Sequence, residues 1–99
     1  MLWRQGDVYI ETVETIPEGA RRLSHCVLAE GEATGHCHRV VETQYAELLE
    51  LGNQRFLRVH AGAVTLAHDE HAPLTLPAGS YRVWQQREYA PSGARTVVD

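Results

Sequence analysis

The 99 residues are enough for one domain and too few for two, since single domains usually hold about 100 to 200 residues, so we predict one domain over residues 1–99. A formal net charge of -4 argues against binding to a nucleic-acid backbone. No apolar run approaches the roughly 20 residues of a membrane span, and residues 1–7 lack the apolar segment of a signal peptide, so we expect a cytoplasmic protein without a membrane partner.

The first half of the chain contains two predicted strands. Residues 7–13 are rich in branched and aromatic side chains, which are typical of strands. Residues 16–22 contain a proline, a glycine and a pair of arginines, and we predict a solvated loop there. Residues 26–29 form a short apolar run, which predicts a second strand that leads directly into a stretch rich in histidine.

The second half of the chain is predicted to be a series of short strands. Gly52 and Asn53 form a hairpin signal between predicted strands at residues 47–51 and 54–60. Further strands are predicted at residues 63–68, 74–76, 81–87 and 95–98. Breaks between these strands are predicted at Ala61-Gly62, Pro77-Ala78-Gly79 and Pro91-Ser92-Gly93. About eight short strands and no helix predict an all-β domain, either an antiparallel barrel or a sandwich.

The stretch rich in histidine is the first candidate site. In a strand that follows the turn at Thr34-Gly35, His36 and His38 would share one face about 6.6 Å apart along the backbone. Two imidazoles on one face can bind one metal ion, and Glu42 lies a further even number of residues along the chain. The alternative is that the small and polar residues mark only a turn and a solvated strand face.

A second histidine cluster lies at the end of a later predicted strand. His68 and His71 flank two acidic residues, and such a segment alone would usually be a solvated loop. The two clusters can converge if the sheet closes into a barrel, because closure brings distant strands together. We therefore include His68 and His71 with His36 and His38 as candidate metal ligands.

At this point the chain resembles the cupin family of small β-barrels. The first cupin motif is a glycine, then H-x-H, then a glutamate three or four residues later, and Gly31, His36, His38 and Glu42 follow that order. The resemblance implies a cupin-like barrel that holds a divalent transition metal with two or three histidines and one glutamate. It covers roughly residues 31 to 86.

The second cupin motif matches only in its first half. Pro77-Ala78-Gly79 supplies the P-x-G element, but Arg82 stands where the motif has its histidine. His68 or His71 would then replace the missing ligand. Alternatively, the guanidinium of Arg82 would project into a cavity without metal and bind a carboxylate or phosphate.

Three functions follow from these patterns. The first is a small metal-binding protein that holds Fe, Ni, Mn or Zn, with enzymatic action on a small substrate left open. The second is a module without metal that binds a small anionic ligand through Arg82 and Arg39. The third is an accessory protein that pairs with a second copy or another protein through an edge strand.

Overall fold

The structure, a computed structural model, describes residues 1–30, 36–90 and 93–96. Residues 87–90 and 93–96 are described only by their backbone. The strands in chain order are β1 (Leu2–Gln5), β2 (Val8–Val13), β3 (Arg21–Arg22), β4 (Val27–Glu30), β5 (Cys37–Val40), β6 (Ala46–Leu51), β7 (Gln54–Ala67), β8 (Leu74–Gln85), β9 (Arg87–Ala90) and β10 (Gly93–Thr96). A single 3-10 turn, Thr43–Tyr45, precedes β6. No α-helix occurs in these described ranges, and none of their helices is long and apolar enough to cross a membrane.

Strands β1 to β8 form one antiparallel sheet with the order β1-β2-β8-β7-β5-β4, and β6, which also pairs with β3, joins the sheet at β7. The first half of β7 pairs with β6 and its second half pairs with β5. Strands β9 and β10 form a separate hairpin. The prediction of a small, antiparallel all-β domain is confirmed. Of the two predicted forms the barrel is not adopted, because the sheet order ends at β1 and β4 among the described strands and the sheet does not close.

The inner face of the sheet carries the hydrophobic core. Alternation places Val8 and Ile10 of β2 inside, and neither is exposed to solvent. Leu57 of β7 lies opposite Leu48 of β6 and Tyr81 of β8, and all three are buried on the same face. The remaining members of the core are Leu28, Ala29, Val40, Ala46, Val59, Val64, Leu66, Leu76 and Val83.

Two predicted strand breaks are bends inside longer strands. The pairing of β7 with β8 shifts register between Val59 and Ala63, opposite the segment that contains Pro77 and Gly79. Gly62 adopts a φ of 68°, which glycine reaches without strain. The predictions that strands end at Ala61-Gly62 and at Pro77-Ala78-Gly79 are therefore wrong, because the irregularity bends both strands together and pairing resumes beyond it.

Two further predictions can be compared with the strands. The hairpin at Gly52-Asn53 is confirmed, with Leu51 paired to Gln54 across it. The predicted loop at residues 16–22 is wrong at its end, because β3 pairs with β6. Strand β1 was not predicted. The predicted turn at Thr34-Gly35, the motif glycine Gly31, and Pro91, Ser92, Val97 and Val98 lie outside the described residues.

Candidate functional site

Four histidines from the two clusters come together at one end of the sheet. The topology explains this, because β5 pairs with the last residues of β7 and so begins beside the loop that leaves β7. The ring of His68 lies 4.2 Å from that of His38, 4.6 Å from that of His71 and 5.8 Å from that of His36, measured between centroids. The rings of His38 and His71 are 6.0 Å apart and nearly parallel, at 15°.

Gln5, at the end of β1, holds His38 in one orientation. Its side-chain nitrogen donates to the carbonyl oxygens of Leu66 at 3.0 Å and Ala72 at 2.9 Å, which leaves its oxygen to face Nδ1 of His38 at 2.9 Å. Because an amide oxygen can only accept, Nδ1 of His38 must carry the proton of this bond. In the neutral ring the lone pair is therefore on Nε2.

Asp7 faces that second nitrogen. Its Oδ1 lies 3.7 Å from Nε2 of His38, and its Oδ2 accepts a 2.6 Å hydrogen bond from the side-chain nitrogen of Gln85. Both side chains are well buried, His38 at 5% and Asp7 at 14% exposure. A separation of 3.7 Å is too long for a hydrogen bond. It is close to the roughly 3.4 Å expected between two ligand atoms on one tetrahedral zinc ion, about 2.1 Å from each.

Gly6 allows His71 to pack against the turn between β1 and β2. A Cβ atom at residue 6 would lie 2.6 Å from Nε2 of His71, which is shorter than any ordinary contact. Gly6 also adopts a φ of 59°, a conformation that glycine accepts readily. A glycine at this turn between β1 and β2 therefore leaves space for the imidazole of His71 beside residue 6.

His36, like His38, has a side-chain oxygen near each of its two ring nitrogens, but its ring is more exposed. Its Nδ1 lies 3.0 Å from a carboxylate oxygen of Glu70, and its Nε2 lies 3.8 Å from Oδ2 of Asp69. A carboxylate bonded to one ring nitrogen favours the proton on that nitrogen and leaves the other to accept. Asp69 also receives a 3.3 Å hydrogen bond from Arg39, so this predicted anion-binding arginine lies at the edge of the histidine cluster.

His68 occupies the centre of the cluster in its neutral form. Burial, together with the neighbouring His71 ring, lowers the pKa of His68 below its ordinary value near 6.5. Its Nδ1 accepts a 3.0 Å hydrogen bond from the backbone N–H of Glu70, so the proton of the neutral ring is on Nε2. His68 would have to break this bond before its Nδ1 could bind a metal ion, whereas the hydrogen bond from His38 to Gln5 places the lone pair of neutral His38 on Nε2, the nitrogen that faces Asp7.

Glu42 follows the end of β5 and bonds to a different part of the sheet. Its two carboxylate oxygens accept hydrogen bonds from the backbone N–H of Thr65 at 2.7 Å and from the Thr65 hydroxyl at 2.9 Å. These two hydrogen bonds hold the pKa of the Glu42 carboxyl below its ordinary value, and the bond from the backbone N–H has the larger effect. The carboxylate thus joins β5 to β7.

We expect Glu42→Gln to destabilise the protein at pH 7 and to matter less in acid. Because the folded pKa is below the unfolded value of about 4.3, the unfolded state binds more protons between the two values. The stability that the carboxylate contributes is present above about pH 4.3 and is lost as pH falls through the folded pKa. Thermal unfolding at a series of pH values would measure this, with the exposed Glu18→Gln as control. An equal difference from the wild type at neutral and strongly acidic pH would contradict the expectation.

Arg82 contacts residues other than the four clustered histidines. Its guanidinium donates to Glu11 at 3.0 Å and lies 4.4 Å from the centre of the Trp84 ring. Arg39 instead contacts Asp69. The two predicted anion-binding arginines are therefore paired with different carboxylates on different elements.

Gln5 and Asp7 are the site residues that the sequence pattern did not reveal. Both belong to the segment around the turn between β1 and β2, which carries no histidine and no motif. One signal was available in the sequence: strand alternation places the polar residue Gln5 on the same face as the large apolar residue Trp3, which indicates that Gln5 faces the interior. A buried glutamine needs partners for its whole amide, which would have pointed to a polar site nearby.

The donor set fits a transition metal in chemistry but is incomplete in its present arrangement. Imidazole nitrogens and a carboxylate suit Fe, Ni, Mn and Zn. Among the described residues, no three His, Cys, Asp or Glu side chains are already placed to hold one ion. The pair formed by His38 and Asp7 is placed at ligand spacing, and the imidazole of His71 lies against Gly6, the residue before Asp7, with its ring centre 6.0 Å from that of His38.

Comparison with known proteins gives one match. A family model described as a domain of unknown function (DUF8820) matches residues 4–86, which include the second half of β1, all of β2 to β8 and every histidine of the cluster. No curated protein and no solved structure matches the chain.

Proposed function

The chain belongs to the DUF8820 family, whose description assigns no function, and from the site itself we propose that it binds a divalent transition-metal ion. The ligands would be Nε2 of His38 and a carboxylate oxygen of Asp7, with His71 as the third. The observation that carries the proposal is the pair of buried ligand atoms at 3.7 Å, one of them held in the ligating tautomer by Gln5.

The surroundings of the pair support a metal rather than a simple ion pair. A metal-bound histidine usually donates its other ring N–H to a fixed acceptor, as His38 does to Gln5. Asp7 is likewise held through its other oxygen by Gln85. An imidazolium that donated to Asp7 would be expected to close the 3.7 Å gap to hydrogen-bond distance. A cation between the two groups accounts for both their burial and their separation.

The proposal retains the metal implied by the resemblance to cupins but changes its ligands. In place of Glu42, which bonds to Thr65, the carboxylate is Asp7 from the other end of the chain. His68 lies against both proposed imidazole ligands and would be the fourth candidate after rotation of its ring. When bound, such an ion would supply Lewis-acid chemistry to a small substrate. The chain itself would orient the ligands and keep His68 neutral beside them.

The test is the response of the folded protein to metal. After chelation and dialysis, addition of Zn, Ni, Mn or Fe at a hundredfold excess over the dissociation constant should stabilise the wild type by about 2.7 kcal/mol. For a chain of this size that is a rise in Tm of about 10 to 20 °C. Metal content of protein purified without a histidine tag gives the stoichiometry.

Asp7→Asn is the diagnostic variant because asparagine keeps the shape of the side chain and can still accept from Gln85. It should remove the bound metal and the rise in Tm. His25→Ala is the control, because His25 bonds to the backbone of Val27, and it should leave both unchanged. If the Tm of wild-type protein stripped of metal changed with none of the four ions, that result would contradict the proposed function.

A further inference from the structure

A cleft of about 550 Å³ lies beside β4 and the paired strands β7 and β8. Its apolar and aromatic lining comes from Leu28 and Ala29 of β4 and from Val83 and Trp84 of β8. Polar side chains and three charged ones complete the wall. This volume is in the range of small-molecule pockets, which combine apolar walls with a few fixed polar groups.

Arg55 is the fixed polar group of the cleft. Its Nη1 donates to the carbonyl oxygens of Val27 and Leu28, both at 3.2 Å, and its Nε donates to Glu50 at 3.4 Å. Nη2 has no partner within the described part of the chain. The guanidinium is therefore held by three hydrogen bonds, so a ligand that accepted from Nη2 would not have to order it.

The residues that line the cleft include two arginines, Arg55 and Arg82, and one acid, the exposed Glu30. Both arginines are already paired with a carboxylate, Arg82 with Glu11 through Nη2 and Arg55 with Glu50 through Nε. The pair with Glu50 leaves Nη2 of Arg55 as the donor that an anionic ligand would contact. A guanidinium recognises carboxylate geometry better than an ammonium does.

We propose that this cleft binds a small carboxylic acid with an apolar body, the carboxylate on Nη2 of Arg55 and the body against Leu28, Ala29 and Val83. This site differs from the proposed metal centre in its residues and does not require metal. The two are neighbours, because Gln85 lines the cleft and also bonds to Asp7, and Ala29 is the strand partner of His38.

Benzoate is the probe and benzamide is its neutral counterpart of the same shape. We expect benzoate to shift the backbone amide NMR signals of Leu28, Ala29 and Val83 in the wild type, and benzamide to bind at least about tenfold more weakly, as the loss of a hydrogen bond to a charged group implies. No shift with benzoate at millimolar concentration, or equal shifts with benzamide, would overturn the proposal.

Variants then assign the binding to Arg55. Arg55→Lys keeps the charge but lacks Nη2, and it should weaken benzoate binding about tenfold or more, whereas Arg58→Lys on the same strand should not. Since Arg55→Lys also loses a bond to β4, Gln54→Trp provides a second route: Gln54 is exposed on the rim, so a bulky residue there should block the cleft without touching the core. Undiminished binding in either variant contradicts the assignment.

One further variant separates the cleft from the metal centre. Asp7→Asn should bind benzoate as the wild type does, whether or not it has lost metal. Loss of benzoate binding in Asp7→Asn would mean that a metal ion, rather than Arg55, holds the carboxylate, and would overturn the cleft while supporting the metal centre.

Discussion

Replacing Gln5 with leucine is expected to lower the free energy of unfolding by about 2 to 6 kcal/mol, because two buried polar groups lose a partner at about 1 to 3 kcal/mol apiece and a third, partly buried group also loses its bond. Those groups are the carbonyls of Leu66 and Ala72 and the Nδ1 of His38. Gln5 is only 3% exposed, so water cannot readily replace it. The loss is a large part of the 5 to 15 kcal/mol typical of a domain.

Urea unfolding measures the change, and Gln54→Leu is the matched control. Gln54 is exposed at the start of β7, so the same substitution there should change stability by no more than about 0.5 kcal/mol. The ¹⁵N shifts of the His38 ring give a readout independent of stability, since the wild type should carry its proton on Nδ1 and the variant should not be restricted to that tautomer. Equal stability of Gln5→Leu and the wild type would show that this amide does not hold the three groups together.

Leu57→Ala is expected to cost about 2 to 5 kcal/mol, the usual range for a buried leucine whose removal leaves a cavity. Leu57 has no exposed surface and lies in the middle of the sheet, between Leu48 and Tyr81 on neighbouring strands. The surrounding strands are fixed by pairing on both sides and have little freedom to close the space.

Leu51→Ala is the control for the core prediction. Leu51 belongs to the hairpin formed by β6 and β7 but is 38% exposed, so its truncation should cost less than about 1 kcal/mol. Thermal or urea unfolding of the two variants in parallel measures the difference. Similar losses for both would mean that the inner face of β7 is not the core that its burial indicates.

The sequence predicts the local pairing of this chain well, because that pairing depends on nearby residues. Gly52-Asn53 specifies a hairpin by its own backbone preferences. Alternation correctly separates the buried Tyr81 and Val83 from the exposed Arg82 between them. The bends at Gly62 and Gly79 also leave a signal, but a glycine marks an irregularity equally well whether the strand ends there or resumes.

The histidine site depends on contacts that local patterns do not encode. Gln5 reaches Leu66 across 61 residues, and Asp7 reaches Gln85 across 78. Neither residue belongs to a motif, and only the assembled sheet brings them to His38. Glu42 shows the opposite case: the period of two that places it with His38 applies only within a strand, and β5 ends at Val40.

The order of the strands also has a consequence for the time course of folding. Strands β6, β7 and β8 follow one another in the chain and pair with their neighbours, so their pairing closes only short loops. Strands β2 and β8 are separated by most of the chain, so their pairing closes a long loop. We expect the three-stranded meander to form early and β1 and β2 to dock late, with amide exchange faster in β1 than in β7. The His38 and Asp7 pair would then form only at this last step, and a partly folded chain would have the meander but would lack the proposed metal site.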